Sequence, residues 1–386
     1  MTHPAPPPAS LYLHVPFCAR RCSYCDFAVQ ATRRPPVEEW LDSVEGELRL
    51  QREVYGWSER LPLRTLYVGG GTPSLLGPGA MGALAERLAS FVDLAAVCEW
   101  TAEANPESFS AELAADWRAA GVNRVSLGVQ SFHAPALRWM GRLHGPEGPA
   151  RAVLAARAAG IDDVSVDLIF GLPDRLGRSW AEDLERALEL EPTHVSLYGL
   201  TAEEGAPLGR WVRERGERLA DEARYADEYL LAHERLVAAG WTHYEVSNFA
   251  RPGRASLHNR VYWTGEAYAA LGPGAHAFLP PRRVWNLRGW DAYREAVRSG
   301  RLPLDGEETV RAADARLERC WLALRTREGL PWHELSPAQR EIAGGWTHRG
   351  WATPSPDALR LSAEGWLVLD RLAADLAEAG EPAFAA

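Results

Sequence analysis

The chain has 386 residues, 46% of them hydrophobic and 24% charged, which provides enough apolar material for one large domain and a smaller one. A formal charge of -10 argues against general nucleic-acid binding, and the complete absence of lysine excludes a P-loop lysine and Schiff-base chemistry. No apolar run reaches the ~18 residues of a membrane span, and MTHPAPPPAS lacks the basic start and apolar stretch of a signal peptide, so a cytoplasmic protein is expected, with peripheral membrane association left open.

Residues 1–9 are Pro-rich and read as a flexible segment. Residues 11–15 then read as a short strand ending at Pro16. Further strand-like runs follow in RTLYVGGG, CEWTAEANP, NRVSLGVQSF, DDVSVDLIFGLP and THVSLYGL, with helical patterns between them. Leu113, Trp117 and Ala120 share one helical face that stops at Gly121, and Ala-Ala-Gly recurs at 119–121, 158–160 and 238–240, where glycine supplies a left-handed cap. Strands alternating with helices imply a parallel sheet, and six such units make an α/β fold curved into most of a (β/α)6-type barrel without having to close it. The expected division is a barrel with its extension over 10–305 and a small domain over 306–380. In the latter, LRLSAEGWLVLDRLAADLAE reads as a strand-turn-strand and then a helix, of winged-helix character; a helical cap on the barrel accounts for the same pattern.

The first strand leads into CARRCSYC, which sets Cys18, Cys22 and Cys25 close together. Five cysteines are too few and too odd in number for a secreted disulfide framework. Structural zinc closes with four ligands, so His14 or Asp26 would have to complete such a site. An iron-sulfur cluster on three thiolates instead leaves one iron open to a small chelating ligand. Glycines 69–71, followed by Thr72 and Pro73, lie at a strand end and permit close backbone approach to a ligand, although a plain turn explains them equally well. Glu103, Gln130, Arg142 and Asp167 leave strand ends or the loops after them, and singly each suits a surface or a cap.

Cys-x3-Cys-x2-Cys after the first strand of a parallel barrel resembles the signature of radical S-adenosylmethionine (SAM) proteins. The resemblance implies a 4Fe-4S cluster on Cys18, Cys22 and Cys25, with SAM held by Tyr12, Phe27, Gly70, Gly71, Thr72, Glu103, Gln130, Arg142 and Asp167. LYLHVPFC, GGGTPS, EANPE, GVQSF and DLIFGLP follow the order seen in oxygen-independent coproporphyrinogen III oxidase and in its relatives, the HemW heme chaperones. The oxidase pattern places a fourth cysteine where this chain has Phe27, and Cys-Asp-Phe is the chaperone form.

LHNRVYW, residues 257–263, is similar to the HNxxYW motif associated with heme in the chaperones. It implies heme contact through His258, Asn259, Tyr262 and Trp263, with His258 or Tyr262 as iron donor and Gly272 and Gly274 allowing close approach. A helix capped by His258 and Asn259, with Tyr262 and Trp263 in the core, is the alternative. His276 in PGAHAF could reach the same cavity but reads first as a satisfied loop or core histidine, Cys98 and Cys320 read as ordinary buried thiols, and Arg33-Arg34 and Arg282-Arg283 read as solvated pairs, either of which could meet propionates. The resemblance therefore implies a heme chaperone with a 4Fe-4S cluster, SAM and heme as cofactors. Its expected partners are acceptor heme proteins and a heme or electron donor protein, with no nucleic acid. The rivals are the oxidase, a decarboxylating enzyme, and another radical SAM enzyme such as a methyltransferase.

Overall fold

A computed structural model describes residues 4–57 and 59–380; of the N-terminal segment expected to be flexible, residues 1–3 lie outside the described residues. Successive side chains of a strand point to opposite faces, and the fold is built on that alternation. In β1 (Ser10–Val15), Leu11, Leu13 and Val15 are fully buried in the main apolar core, and Ser10, Tyr12 and His14 take the other face. The same division runs through β2 (Thr65–Gly70), β3 (Glu99–Ala104), β4 (Arg124–Gln130), β5 (Asp163–Phe170) and β6 (His194–Gly199). Apolar residues such as Val68, Ala102, Leu127, Val166 and Leu197 join the core, while Tyr67, Glu103, Ser126, Asp167 and Tyr198 line the inside. A filled (β/α) barrel carries branched apolar layers inside. A polar interior marks this one as a container.

β1 to β6 pair in parallel in chain order, so all six expected strands are present. The sheet continues past both ends. β9 (Ala269–Leu271) adds in parallel to β1, while β8 (Asn248–Ala250) runs antiparallel to β6 and β7 (Thr242–Glu245) antiparallel to β8. The final order is β9-β1-β2-β3-β4-β5-β6-β8-β7, an open curved sheet with nine strands. Gly121, Gly160 and Gly240 all take positive φ at the helix-to-strand turns, as the repeated Ala-Ala-Gly predicts.

Beyond β9 the chain forms an antiparallel sheet of His276–Leu279, Arg282–Asn286 and Leu304–Thr309; the last of these strands spans the division expected at residue 305. Three helices, Ala312–Leu324, Pro337–His348 and Leu369–Gly380, then surround a small sheet of Leu330–Pro331, Ala358–Leu361 and Ala352–Thr353. The expected strand-turn-strand is corrected here. Ala358–Leu361 is a strand, but Ser362 then accepts the Gly365 N–H and starts the helix Ala363–Leu367, because a serine N-cap favours helix entry over a second strand. This C-terminal part docks on β7: Val246 N donates to Arg325 O (3.0 Å), Arg327 N donates to Tyr244 O (2.9 Å), and the Arg325 guanidinium lies over the Trp263 ring. At the other end, Ala5 N donates to Tyr55 O (3.2 Å) and Trp57 Nε1 donates to Ala5 O (3.0 Å).

One buried carboxylate ties the barrel to its extension. Glu47, on the helix Val37–Tyr55, accepts from Gly272 N (2.8 Å), Tyr293 Oη (2.6 Å), Asn286 Nδ2 (2.7 Å) and Gln51 Nε2 (3.0 Å). Removal from water outweighs these four donors and raises its pKa from the ordinary 4.5 to about 7. Between those values the folded protein holds a proton that the unfolded chain has lost. The associated stability is complete below pH 4.5 and disappears as pH rises through about 7, a change of about 3 kcal/mol. Glu47→Gln cannot titrate. Urea unfolding at pH 5 and pH 8 should show the wild-type preference for pH 5 shrinking by about that amount in the variant; identical pH dependence of the two proteins would refute the assignment.

Candidate functional site

The cysteine loop leaves β1 at Pro16 and is pinned on both sides. Phe17–Cys18 pairs in parallel with Gln30–Ala31, Ser23 N donates to Met140 O (3.1 Å), and Leu208 N donates to Ser23 O (2.7 Å). The three thiols line one cavity of about 780 Å³ at the C-terminal ends of the strands. Thr72 Oγ1 donates to Cys18 Sγ (3.4 Å) and Arg142 Nη1 to Cys22 Sγ (3.7 Å). Burial pushes the Cys18 thiol up to about 11 and the Cys25 thiol up as well, so a bound cation is what would favour the thiolates.

The donor set suits a cluster better than a single zinc ion. No group of three or more His, Cys, Asp or Glu among the described residues converges tightly enough to hold a single ion. His14 is committed elsewhere: its Nε2–H donates to Ala28 O (2.9 Å), leaving Nδ1 to accept from Tyr12 Oη (3.0 Å). Asp26 faces Arg288 at 3.7 Å. Three thiols that share a cavity without meeting at a point suit a cluster, in which each sulfur binds a different iron.

Beside the thiols stand the strand-end groups. Glu103 accepts from Tyr67 Oη (2.8 Å) and Gly70 N (2.9 Å), and Asp167 accepts from Ser126 Oγ at 3.0 and 3.1 Å. Both line the cavity yet sit deep in the protein. Burial raises Glu103 to about 7 and Asp167 to about 6, against the pull of their hydrogen bonds. Arg142 Nη2 donates to Asn105 Oδ1 (2.5 Å) and Gly128 O (2.6 Å), while its Nε is buried without a partner among the described residues. Gln130 has a φ of 67°, uncommon for a residue with a side chain, and its Oε1 is also buried and unpaired. Two orphaned polar atoms and a strained residue at the rim of one cavity are what a polar ligand site leaves behind.

Of the residues expected from sequence, Tyr12, Phe27, Gly70, Gly71, Thr72, Glu103, Gln130, Arg142, Asp167, Tyr262 and the three cysteines all line this cavity. Gly70 and Gly71 line the cavity, and the protein's own packing also requires glycine there. A Cβ on Gly70 would meet the His14 ring at 2.5 Å, and one on Gly71 would meet Phe17 O at 2.6 Å. Likewise, a Cβ on Gly272 would meet His14 O at 2.5 Å and one on Gly274 would meet Ala28 at 2.7 Å. They admit the protein's own chain around the cysteine loop.

The HNRVYW segment is divided. Its helix, Leu257–Thr264, has its N-terminus held by Glu99, which accepts from the N–H of Leu257 and of His258 (both 2.9 Å). Ser256 is the N-cap and accepts from Asn259 N (3.2 Å). Glu99 and Thr65 begin β3 and β2, so this helix plugs the base of the sheet's interior, away from the cysteines. His258 is fully buried: Thr65 Oγ1 donates to Ser10 Oγ (2.9 Å), His258 Nδ1–H donates to Thr65 (2.8 Å), and Nε2 accepts from Tyr262 Oη (2.9 Å). Burial lowers its pKa to about 3. His258, Asn259 and Trp263 lie outside the cysteine cavity; Trp263 stacks under Arg325 and lines a separate cavity of about 510 Å³.

Sequence reasoning passed over Tyr67, Asn105, Ser126, Tyr198 and Arg288, and set His276 aside. For the strand residues the available signal was period two: polar side chains at every second position of strands whose other face is apolar. Arg288 and His276 carry no such signal, because they come from the extension beyond β9.

The glycine packing makes a direct prediction. Gly70→Ala forces a side chain into φ 107° and into the pinned His14 ring, and should cost about 3 kcal/mol in anaerobic unfolding. Gly82→Ala, inside the helix Ala80–Leu88 with nothing within 4 Å, should stabilise by about 0.5–1 kcal/mol. Equal stability of the two variants would show that the contact is not confining.

Comparison with known proteins gives a consistent picture. Residues 12–190 match the family described as the radical SAM superfamily. The chain is 38% identical to the heme chaperone HemW of Mycobacterium tuberculosis over 94% of this chain and 93% of that protein. It is 38% identical to that of Escherichia coli over 70% of each chain, and 31% identical to that of Bacillus subtilis over 83% and 84%. Among solved structures, the coproporphyrinogen III oxidase of Escherichia coli superposes with a TM-score of 0.80 at 21% identity, covering 95% of this chain and 89% of that one, which establishes a shared fold. With identities of 31–38% across most of its length, the chain belongs to the HemW heme chaperone family within the radical SAM superfamily.

Proposed function

We propose that this chain binds heme and delivers it to acceptor heme proteins, holding a 4Fe-4S cluster on Cys18, Cys22 and Cys25 and SAM beside it. The observation that carries the reading is the joint placement of three thiols, two carboxyls of raised pKa and an unpaired Arg142 Nε on one cavity of about 780 Å³. A cluster held there would supply an open iron for the amino and carboxylate groups of SAM. The chain's own part is to position: Glu103 and Asp167 offer acceptors at strand ends, Arg142 and Gln130 offer polar atoms that no group among the described residues uses, and Thr72 steadies Cys18. The chaperones named among its relatives support the heme assignment. Phe27 stands where the oxidase pattern has its fourth cysteine, which favours a carrier over the decarboxylating enzyme. All five cysteines are free, in keeping with a cytoplasmic site of action, and no helix among the described residues is long and apolar enough to cross a membrane.

Anaerobically reconstituted protein should contain about four irons and four sulfides per chain, with Cys22→Ala folded but colourless; retention of the full iron content by that variant would remove Cys22 from the ligand set. Glu103→Ala and Asp167→Ala should each weaken SAM binding by about 1–3 kcal/mol in calorimetry, and unchanged affinity in both would misplace the SAM site.

The function itself is tested by supplying reductant, SAM and either coproporphyrinogen III or heme. The expected result is no protoporphyrinogen IX, a shifted Soret band with heme, and transfer to an apo heme protein. Robust decarboxylation without heme retention would establish the oxidase instead.

A further inference from the structure

Three histidines stand near the cavity or in the heme-associated motif, and their commitments differ. His14 and His258 have both ring nitrogens engaged in hydrogen bonds. His276 makes no side-chain hydrogen bond or ion pair among the described residues, is exposed, and lines the cysteine cavity. Its ring is held from one side by stacking on Trp285, with centroids 6.0 Å apart and planes at 21°. Its backbone is fixed as well. His276 opens the strand His276–Leu279 opposite Trp285, directly after the turn in which Gly274 packs on Ala28 of the cysteine loop.

The rest of the cavity's lining narrows the class of ligand. Phe27 and Tyr198 are 60% and 50% exposed, which is unusual for large apolar side chains. Arg20 makes no hydrogen bond or ion pair among the described residues, and Arg21 donates only to the carbonyls of Cys25 (3.4 Å) and Gly205 (3.0 Å). Arg288 donates to Asp26 O at 2.6 Å. Four acidic side chains share the lining: Glu103 and Asp167, described above, Asp26, which faces Arg288 at 3.7 Å, and Glu203, which accepts from Thr201 Oγ1 at 2.9 Å. An uncommitted imidazole, accessible aromatic faces and two guanidinium groups, Arg20 and Arg21, without carboxylate partners among the described residues suit one kind of ligand: a flat apolar macrocycle bearing a Lewis-acidic metal and peripheral carboxylates.

We propose that His276 supplies the axial ligand to the iron of a heme seated at this cavity, with Arg20 and Arg21 meeting its propionates. The proposal rests on the heme-carrier reading above. It reassigns the iron donor from His258, which would have to break two buried hydrogen bonds to reach a metal. Burial, and after it the positive charges of Arg288 and Arg283, holds the His276 pKa below the usual histidine range, so its lone pair is free at neutral pH. Ligation forms one nitrogen–iron bond, displaces a water from ferric heme, and needs no electron or proton.

The test uses full-length, cluster-reconstituted protein titrated anaerobically with ferric heme and followed by heme difference absorption and by electron paramagnetic resonance. Wild type should show the signature of a histidine-ligated iron. His276→Ala, an exposed position whose loss leaves the core intact, should weaken heme binding roughly ten-fold or more and abolish that signature. Added imidazole should restore the signature in His276→Ala. If wild type binds heme and His276→Ala matches it in affinity and spectra, the ligand assignment is overturned while the carrier reading stands. If wild type binds no heme at all, both fall.

Discussion

The parallel pairing of β1 with β2 is the contact on which the site depends. Six residue pairs, from Ser10↔Thr65 to Val15↔Gly70, carry the two strands to the same level, and Gly71 N then donates to Val15 O (2.8 Å) just before the cysteine loop departs. The approach is so close that Val15 O, Phe17 O and the His14 ring occupy the space a Cβ would need at Gly70 or Gly71. Because His14 also holds Ala28, and Gly274 packs on Ala28, both ends of the cysteine loop are referenced to this one pair of strands. A shift of one residue in register would exchange the inner and outer faces of β1 and bury Tyr12 and His14 among the helices.

A polar interior has an electrostatic consequence. Glu103, Asp167 and Arg142 are withdrawn from bulk water together, and the two carboxyls respond with raised pKa values of about 7 and about 6. Their hydrogen-bond donors, Tyr67, Gly70 N and Ser126, are part of the sheet itself and need no rearrangement to hold them. Such an environment is expensive to maintain without a ligand, which fits the unpaired Gln130 Oε1 and Arg142 Nε at the same rim.

The HNRVYW helix connects the base of the sheet to that interior. Glu99, Thr65 and Ser10 secure its first turn, and Tyr262, one turn further along, reaches the cavity wall with its hydroxyl bonded to His258. Trp263 turns outward under Arg325, whose neighbouring backbone docks the C-terminal part on β7. One short motif thus closes the bottom of the container, contributes a phenol to its wall and seats the second part of the chain. The spacing that resembles a ligand set serves three separate packing tasks.

The six parallel strands, the glycine-capped turns and the cysteine triad were all legible in the sequence, because each follows from local chemistry: period-two alternation, a residue that tolerates positive φ, and thiols within one loop. The strand-end carboxyls could also be named, since their place at the end of an apolar run is itself a local signal. The tertiary structure decided which side chains share a cavity and which are already spoken for. His258 and His276 both read as candidate histidines. Only the fold places the first between Thr65 and Tyr262 with no nitrogen to spare, and the second on Trp285 with neither nitrogen hydrogen-bonded among the described residues. A ring nitrogen's availability depends on partners as far away as residue 65 is from residue 258, and no pattern within a segment records contacts made across that distance.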